Sequence, residues 1–148
     1  MFDELYVIDL IKNAIKKAFG TAEWKESFGG KSMKIVEDRY GESTTFPVVY
    51  IGISNAYMAN GTYDSDQRER YTTFWFEIEH FNQAVEKTGE SKARLGARIN
   101  QEIVRVLQEE LNPHIESNIK VESLDETIHR RLIEGYCNID NNKKIFYR

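Results

Sequence analysis

Glu77, Glu79 and His80 stand within four positions of one another in the run RYTTFWFEIEHFNQ, residues 70 to 83. Carboxylates beside an imidazole are the residue types of general acid–base catalysis or of a metal site. The local periodicity argues against both. A strand sends successive side chains to opposite faces. Thr72, Phe74, Phe76, Ile78 and His80 then share an apolar face, and Thr73, Trp75, Glu77, Glu79 and Phe81 share a half-polar one. The glutamates and the histidine point apart, so they cannot converge on one ion. The spacing predicts a strand with a core face and no site.

Three other constellations could do chemistry. GGKS at 29–32 ends like a phosphate-binding loop, but the position that should hold its first glycine is Lys25. Neither the strand before it nor the helix starting at its Lys-Ser is evident. Asn138, Asp140 and Asn142 alternate like the start of a calcium loop, yet Lys143 stands where that loop needs glycine. His80, His114 and His129 lie far apart in sequence and in dissimilar settings, and nothing pairs them with Cys137 or a serine. Cys137 reads as a buried thiol. HRRL at 129–132 puts His129 and Arg131 on one strand face and Arg130 on the other. With Lys143 and Lys144 these could form a basic patch, although a solvated or salt-bridged sheet face is favoured. The residues imply no enzyme, no cofactor and no metal.

The elements that must position these residues follow from periodicity. In ELYVIDLIKNAIKKAFG, Leu5, Ile8, Ile11, Ile15 and Phe19 form a helical stripe, with Asp3 to cap the start and Gly20 at the left-handed end. SMKIVED is a short strand before a YGES turn. FPVVYIGISN alternates Val49, Ile51 and Ile53 with Val48, Tyr50 and Gly52, and Pro47 suits its first residues or an edge. Residues 56–69 read as a long connection with Asn60-Gly61 as a turn signal. A second helix carries Leu95, Ile99, Ile103, Val106 or Leu107, and Leu111, and ends at Asn112-Pro113. Arg94, Arg98, Glu102, Arg105 and Glu109 occupy much of its other surface. A short segment, NIKVESL, leads to a closing hairpin turning at Asp140-Asn141-Asn142. The expected fold is α+β: a mostly antiparallel sheet flanked by two main helices, one domain over residues 1–148.

Composition agrees with that reading. The chain has 148 residues, 41% hydrophobic and 30% charged, with a net charge of -4. Residues 1–74 hold 9 basic and 11 acidic side chains and the remainder 11 and 13, so each half carries -2. No basic arm points to nucleic acid. No apolar run approaches the ~20 residues of a membrane span, and a cytoplasmic site of synthesis is expected.

The order of these features resembles the tail-terminator (tail-completion) and head–tail joining proteins of long-tailed bacteriophages. It runs from ELYVIDLIKNAIKKAF through FPVVYIGISN, RYTTFWFEIEHFNQ and ARINQEIVRVLQEEL to HRRLIEGYCNIDNNKKIFYR, about residues 3 to 148. The resemblance implies a structural virion protein of the tail or neck, assembled in the host cytoplasm. Such proteins form homo-oligomeric rings, commonly hexamers, that cap the tail tube protein and dock the head–tail connector protein. DNA passes through the lumen without specific binding.

On that expectation the candidate interface residues are Trp75, Glu77 and Glu79, where a large aromatic mixes with charge. The others are Asp64, Asp66, Arg68 and Arg70, whose alternating signs suit pairing across a subunit boundary. The alternative is a small soluble α+β ligand-binding or oligomerisation module with no viral role, using Phe74, Phe76, Trp24 and Tyr136 around a ligand. An undetected hydrolase is the remaining rival.

Overall fold

The computed structural model describes residues 4–37, 45–58, 71–123 and 125–147, with backbone only for 54–58. Helix α1 spans Glu4–Phe19, α2 Ala22–Ser27 and α3 Lys92–Leu111. The strands are β1 Lys34–Glu37, β2 Val48–Met58, β3 Tyr71–Gln83, β4 His114–Val121, β5 Ile128–Asp140 and β6 Ile145–Tyr147. They form one six-stranded sheet in the order β1-β2-β3-β5-β4, with β6 also beside β5. β1 runs parallel to β2, and every other pairing is antiparallel. The fold is therefore α+β.

The three helices contribute to a core on one sheet face. Phe74, Phe76 and Ile78 of β3 meet Val7, Ile11 and Ile15 of α1 and Leu95, Ile99, Ile103 and Leu107 of α3 there. The expected α3 stripe is buried throughout, and the helix stops where Asn112 enters the left-handed region at φ 45°, just before Pro113. Among the described residues no helix is long and apolar enough to cross a membrane.

Several expectations change. The buried stripe of α1 is Val7, Ile11, Ile15 and Phe19, while Leu5 is 69% exposed and Ile8 only half-buried. Leu10, Ala14 and Ala18 also pack on the core, so its centre lies between those two ridges. At 3.6 residues per turn Leu5 falls roughly 140° from that centre. Gly20 does not take a left-handed conformation. Instead the chain passes to Thr21, whose Oγ1 accepts from the Trp24 amide and starts α2. The left-handed residues are Gly29 and Gly30, at φ 67° and 92°. They end α2, so GGKS follows a helix and leads into a strand, the reverse of the phosphate-loop order.

β2 extends through Met58, so the connection expected from residue 56 begins later, and residues 59–70 lie outside the described ones. So do Asp3 and the YGES turn. NIKVESL begins inside β4, a strand not expected from its sequence, and leaves it after Val121. The closing hairpin is present, but its left-handed residue is Lys144, at φ 56°. Asp140 shapes the turn through its carboxylate, which accepts from the amides of Asn142 and Lys143 at 3.0 and 3.1 Å.

Candidate functional site

Two places concentrate chemistry-bearing side chains, one on each face of the sheet. The first is buried between β3, β5 and α3. Register sets His80 opposite Arg131 and Asn82 opposite His129, so residues distant in sequence become diagonal neighbours. Two of the three histidines thus come together, which sequence separation had argued against. Both sit on the helix-facing side: His80 is fully buried and His129 is 2% exposed.

Hydrogen bonds assign their protons. His80 Nε2 lies 3.0 Å from Asn100 Oδ1, a carbonyl, so Nε2 donates and Nδ1 keeps the lone pair. Arg131 Nε donates to His129 Nε2 at 3.2 Å, which leaves the His129 proton on Nδ1. Among the described residues His80 Nδ1, His129 Nδ1 and Asn82 Oδ1 have no hydrogen-bond partner. Both imidazoles are held neutral. Burial, with smaller repulsion from His129 and Arg131 outweighing the Asn100 bond, lowers the His80 pKa to about 4. Burial and then the charges of Arg131, Lys120 and Lys92 lower that of His129.

The cluster clamps α3 against the sheet. No group of three or more His, Cys, Asp or Glu side chains converges among the described residues. Cys137 is fully buried six positions along β5 from Arg131, and burial pushes its thiol up to about 12, far from a nucleophile. α3 approaches closely because residue 96 is glycine: a Cβ there would lie 2.0 Å from His129 Cδ2. Gly96→Ala should therefore cost about 1–3 kcal/mol by overpacking, read as a lower urea midpoint at unchanged slope.

The second place is the opposite face, away from the helices, and here lie the candidate interface residues Trp75, Glu77 and Glu79. Trp75, Tyr136 and His114 occupy one cross-strand row over β3, β5 and β4. Tyr136 packs its ring 4.8 Å from Trp75 and 4.7 Å from His114, the latter nearly parallel at 14°. One step along, exposed Glu77 faces half-buried Glu134, a like-charge pair across the strands. Such a pair costs stability in isolation. Glu79 differs: Arg130 donates to its Oε2 through Nε at 3.1 Å and Nη2 at 2.6 Å, with the guanidinium over Phe81. Beside them Ile119 of β4 is 52% exposed.

This geometry separates the two glutamates, which the sequence placed together on one half-polar face. Glu77→Ala should change stability by less than ~0.5 kcal/mol. Glu79→Ala leaves Arg130 without this carboxylate and should cost about 1 kcal/mol in chemical denaturation.

Other expectations are corrected or fall outside the described residues. Arg130 and Lys143/Lys144 do not form one patch, because the lysines sit in the turn at the far end of β5. Asn138 Oδ1 accepts from Thr73 Oγ1 at 2.8 Å, and Asp140 serves its turn, so the calcium-like alternation is structural. Phe74 and Phe76 are core residues, Trp24 stacks on Phe28, and Tyr136 lies on the opposite face, so these four do not surround one ligand. Asp64, Asp66, Arg68 and Arg70 lie outside the described residues. No protein-family model and no curated protein matches the chain.

Proposed function

We propose that this chain is a ring-forming structural subunit of a long-tailed bacteriophage, which caps the tail tube and meets the head connector. The observation that carries the reading is the sheet face that, among the described residues, no helix covers. It presents the Trp75–Tyr136–His114 row beside Glu77, Glu134 and exposed Ile119. A large aromatic anchor ringed by charge is the composition of subunit interfaces. The Glu77–Glu134 pair is unfavourable in one subunit and is relieved when a neighbour brings a cation to it.

The order of elements supports the reading too, since the two long helices and the closing hairpin stand in the chain as the resemblance implies. In this role the protein performs no catalysis, and its net charge of -4 suits a lumen through which DNA slides.

Trp75→Ala tests the proposal. The variant should fold, because Trp75 is only half-buried and off the main core. In the phage that encodes the chain it should give heads and tails that fail to join, or tails of uncontrolled length. Native mass spectrometry of the wild-type chain with its tube protein should give a closed ring, and the variant should give none. Infectious particles at wild-type titre from a Trp75→Ala phage would overturn the assignment.

A further inference from the structure

The sheet carries two like-charge pairs, one of each sign, on opposite faces. Glu77 stands across from Glu134 between β3 and β5, and Lys120 across from Arg131 between β4 and β5. Arg131 and Glu134 are three positions apart on one strand, an odd number, so their side chains leave opposite faces. The glutamates look out from the face that no described helix covers, and the cations from the helix side, at its β4 rim. Glu77 and Lys120 are exposed, while Glu134 and Arg131 are half-buried. Among the described residues neither glutamate meets a cation within salt-bridge distance, and neither Lys120 nor Arg131 meets a carboxylate. Arg130, on the glutamates' face, is taken by Glu79. Arg131 donates to uncharged His129, and the Asp125 carboxylate near Lys92 is engaged by Thr127.

Like charges directly opposite destabilise a sheet. Two such pairs of opposite sign cost stability in the single subunit, and one contact in which they meet relieves both. They cannot meet within a subunit, because the sheet lies between them. We infer that the occupant of the helix-free face is a second copy of this chain, whose Lys120 docks on Glu77 and whose Arg131 docks on Glu134. The inference rests on the ring reading and names the contact inside it. A contact between two different patches is heterologous, so it repeats from copy to copy and closes into a ring when the rotation allows.

Charge reversal at the two exposed members tests it on the full chain, by sedimentation equilibrium at low salt. Glu77→Lys and Lys120→Glu should each fold, with Tm raised by about 1–3 °C, because each removes a repulsion inside the subunit. Each alone should weaken self-association about tenfold, because like charges then meet across the contact. A merely structural role would move stability and association in the same direction. Mixed in equal amounts, the two variants should associate with each other at near wild-type strength, since every contact between unlike copies again joins Glu to Lys. The double variant Glu77→Lys/Lys120→Glu should restore association within one chain. Wild-type association should weaken as salt rises to about 1 M, where charges are screened beyond about 3 Å. A wild type that stays monomeric, single variants that associate as the wild type does, or a mixture no stronger than its components would each overturn the inference. None of these outcomes decides the ring reading, which is tested separately by Trp75→Ala and the tube protein.

Discussion

Between pH 6.5 and pH 5 the folded protein should lose about 2 kcal/mol of stability through His80 alone, with His129 adding to the loss. The folded-state pKa of His80 is about 4, against an ordinary value of 6.5. Throughout that interval the unfolded chain binds a proton that the native state excludes, so stability rises with pH. The contribution is complete above pH 6.5, declines as the pH falls, and reaches its full loss of about 3 kcal/mol near pH 4. The upper part of the interval is diagnostic, because ordinary carboxylates titrate below it. Urea unfolding at pH 7.5, 6.5 and 5 measures the slope. His80→Leu should make the profile shallower, whereas a flat wild-type profile would mean that water reaches both imidazoles.

Phe76→Ala should destabilise the protein by about 3–5 kcal/mol, a large part of what a chain of this size possesses. Phe76 is 1% exposed, and its ring tip reaches within 3.0 Å of where a Cβ on Gly135 would stand. The ring thus lies over a bare stretch of β5 backbone that no side chain can fill when it is removed. At ~2–4 °C per kcal/mol, calorimetry should register a Tm lowered by roughly 10 °C. A shift of only a degree or two would place Phe76 outside the core and reverse the face assignment of β3. Neighbouring Glu77, exposed on the other face, is the control.

Much of this was legible along the chain because it depends on local periodicity. Alternation from Thr72 to Phe81 was enough to separate Phe74, Phe76, Ile78 and His80 from Trp75, Glu77 and Glu79, and every member of the first set is buried. The α3 stripe could be read in the same way, since its apolar residues recur at helical spacing and Asn112-Pro113 ends it. In α1 the same reasoning misjudged the first turn. A stripe in sequence allows more than one choice of central ridge, and packing against α3 and the sheet selects Val7 over Leu5. β4 escaped notice because it is an edge strand with one partner. Its exposed residues carry no strict alternation, and a register shift between Ile115 and Ser117 disturbs the rest.

Sequence by itself determined the fold class, the two long helices, the inward and outward faces of β3, and the separation of Glu77 and Glu79 from His80. These follow from side-chain direction, which repeats every two or 3.6 residues and needs no distant partner. Only the tertiary structure decided which remote residues meet. Strand register brings His80 to His129, the glycine at 96 lets α3 press upon them, and Asn100 Oδ1 accepts a hydrogen bond from His80 Nε2. Register likewise aligns Trp75, Tyr136 and His114 into one row. A pairing between strands tens of residues apart has no local period to announce it, because it is selected by the burial of the whole sheet at once.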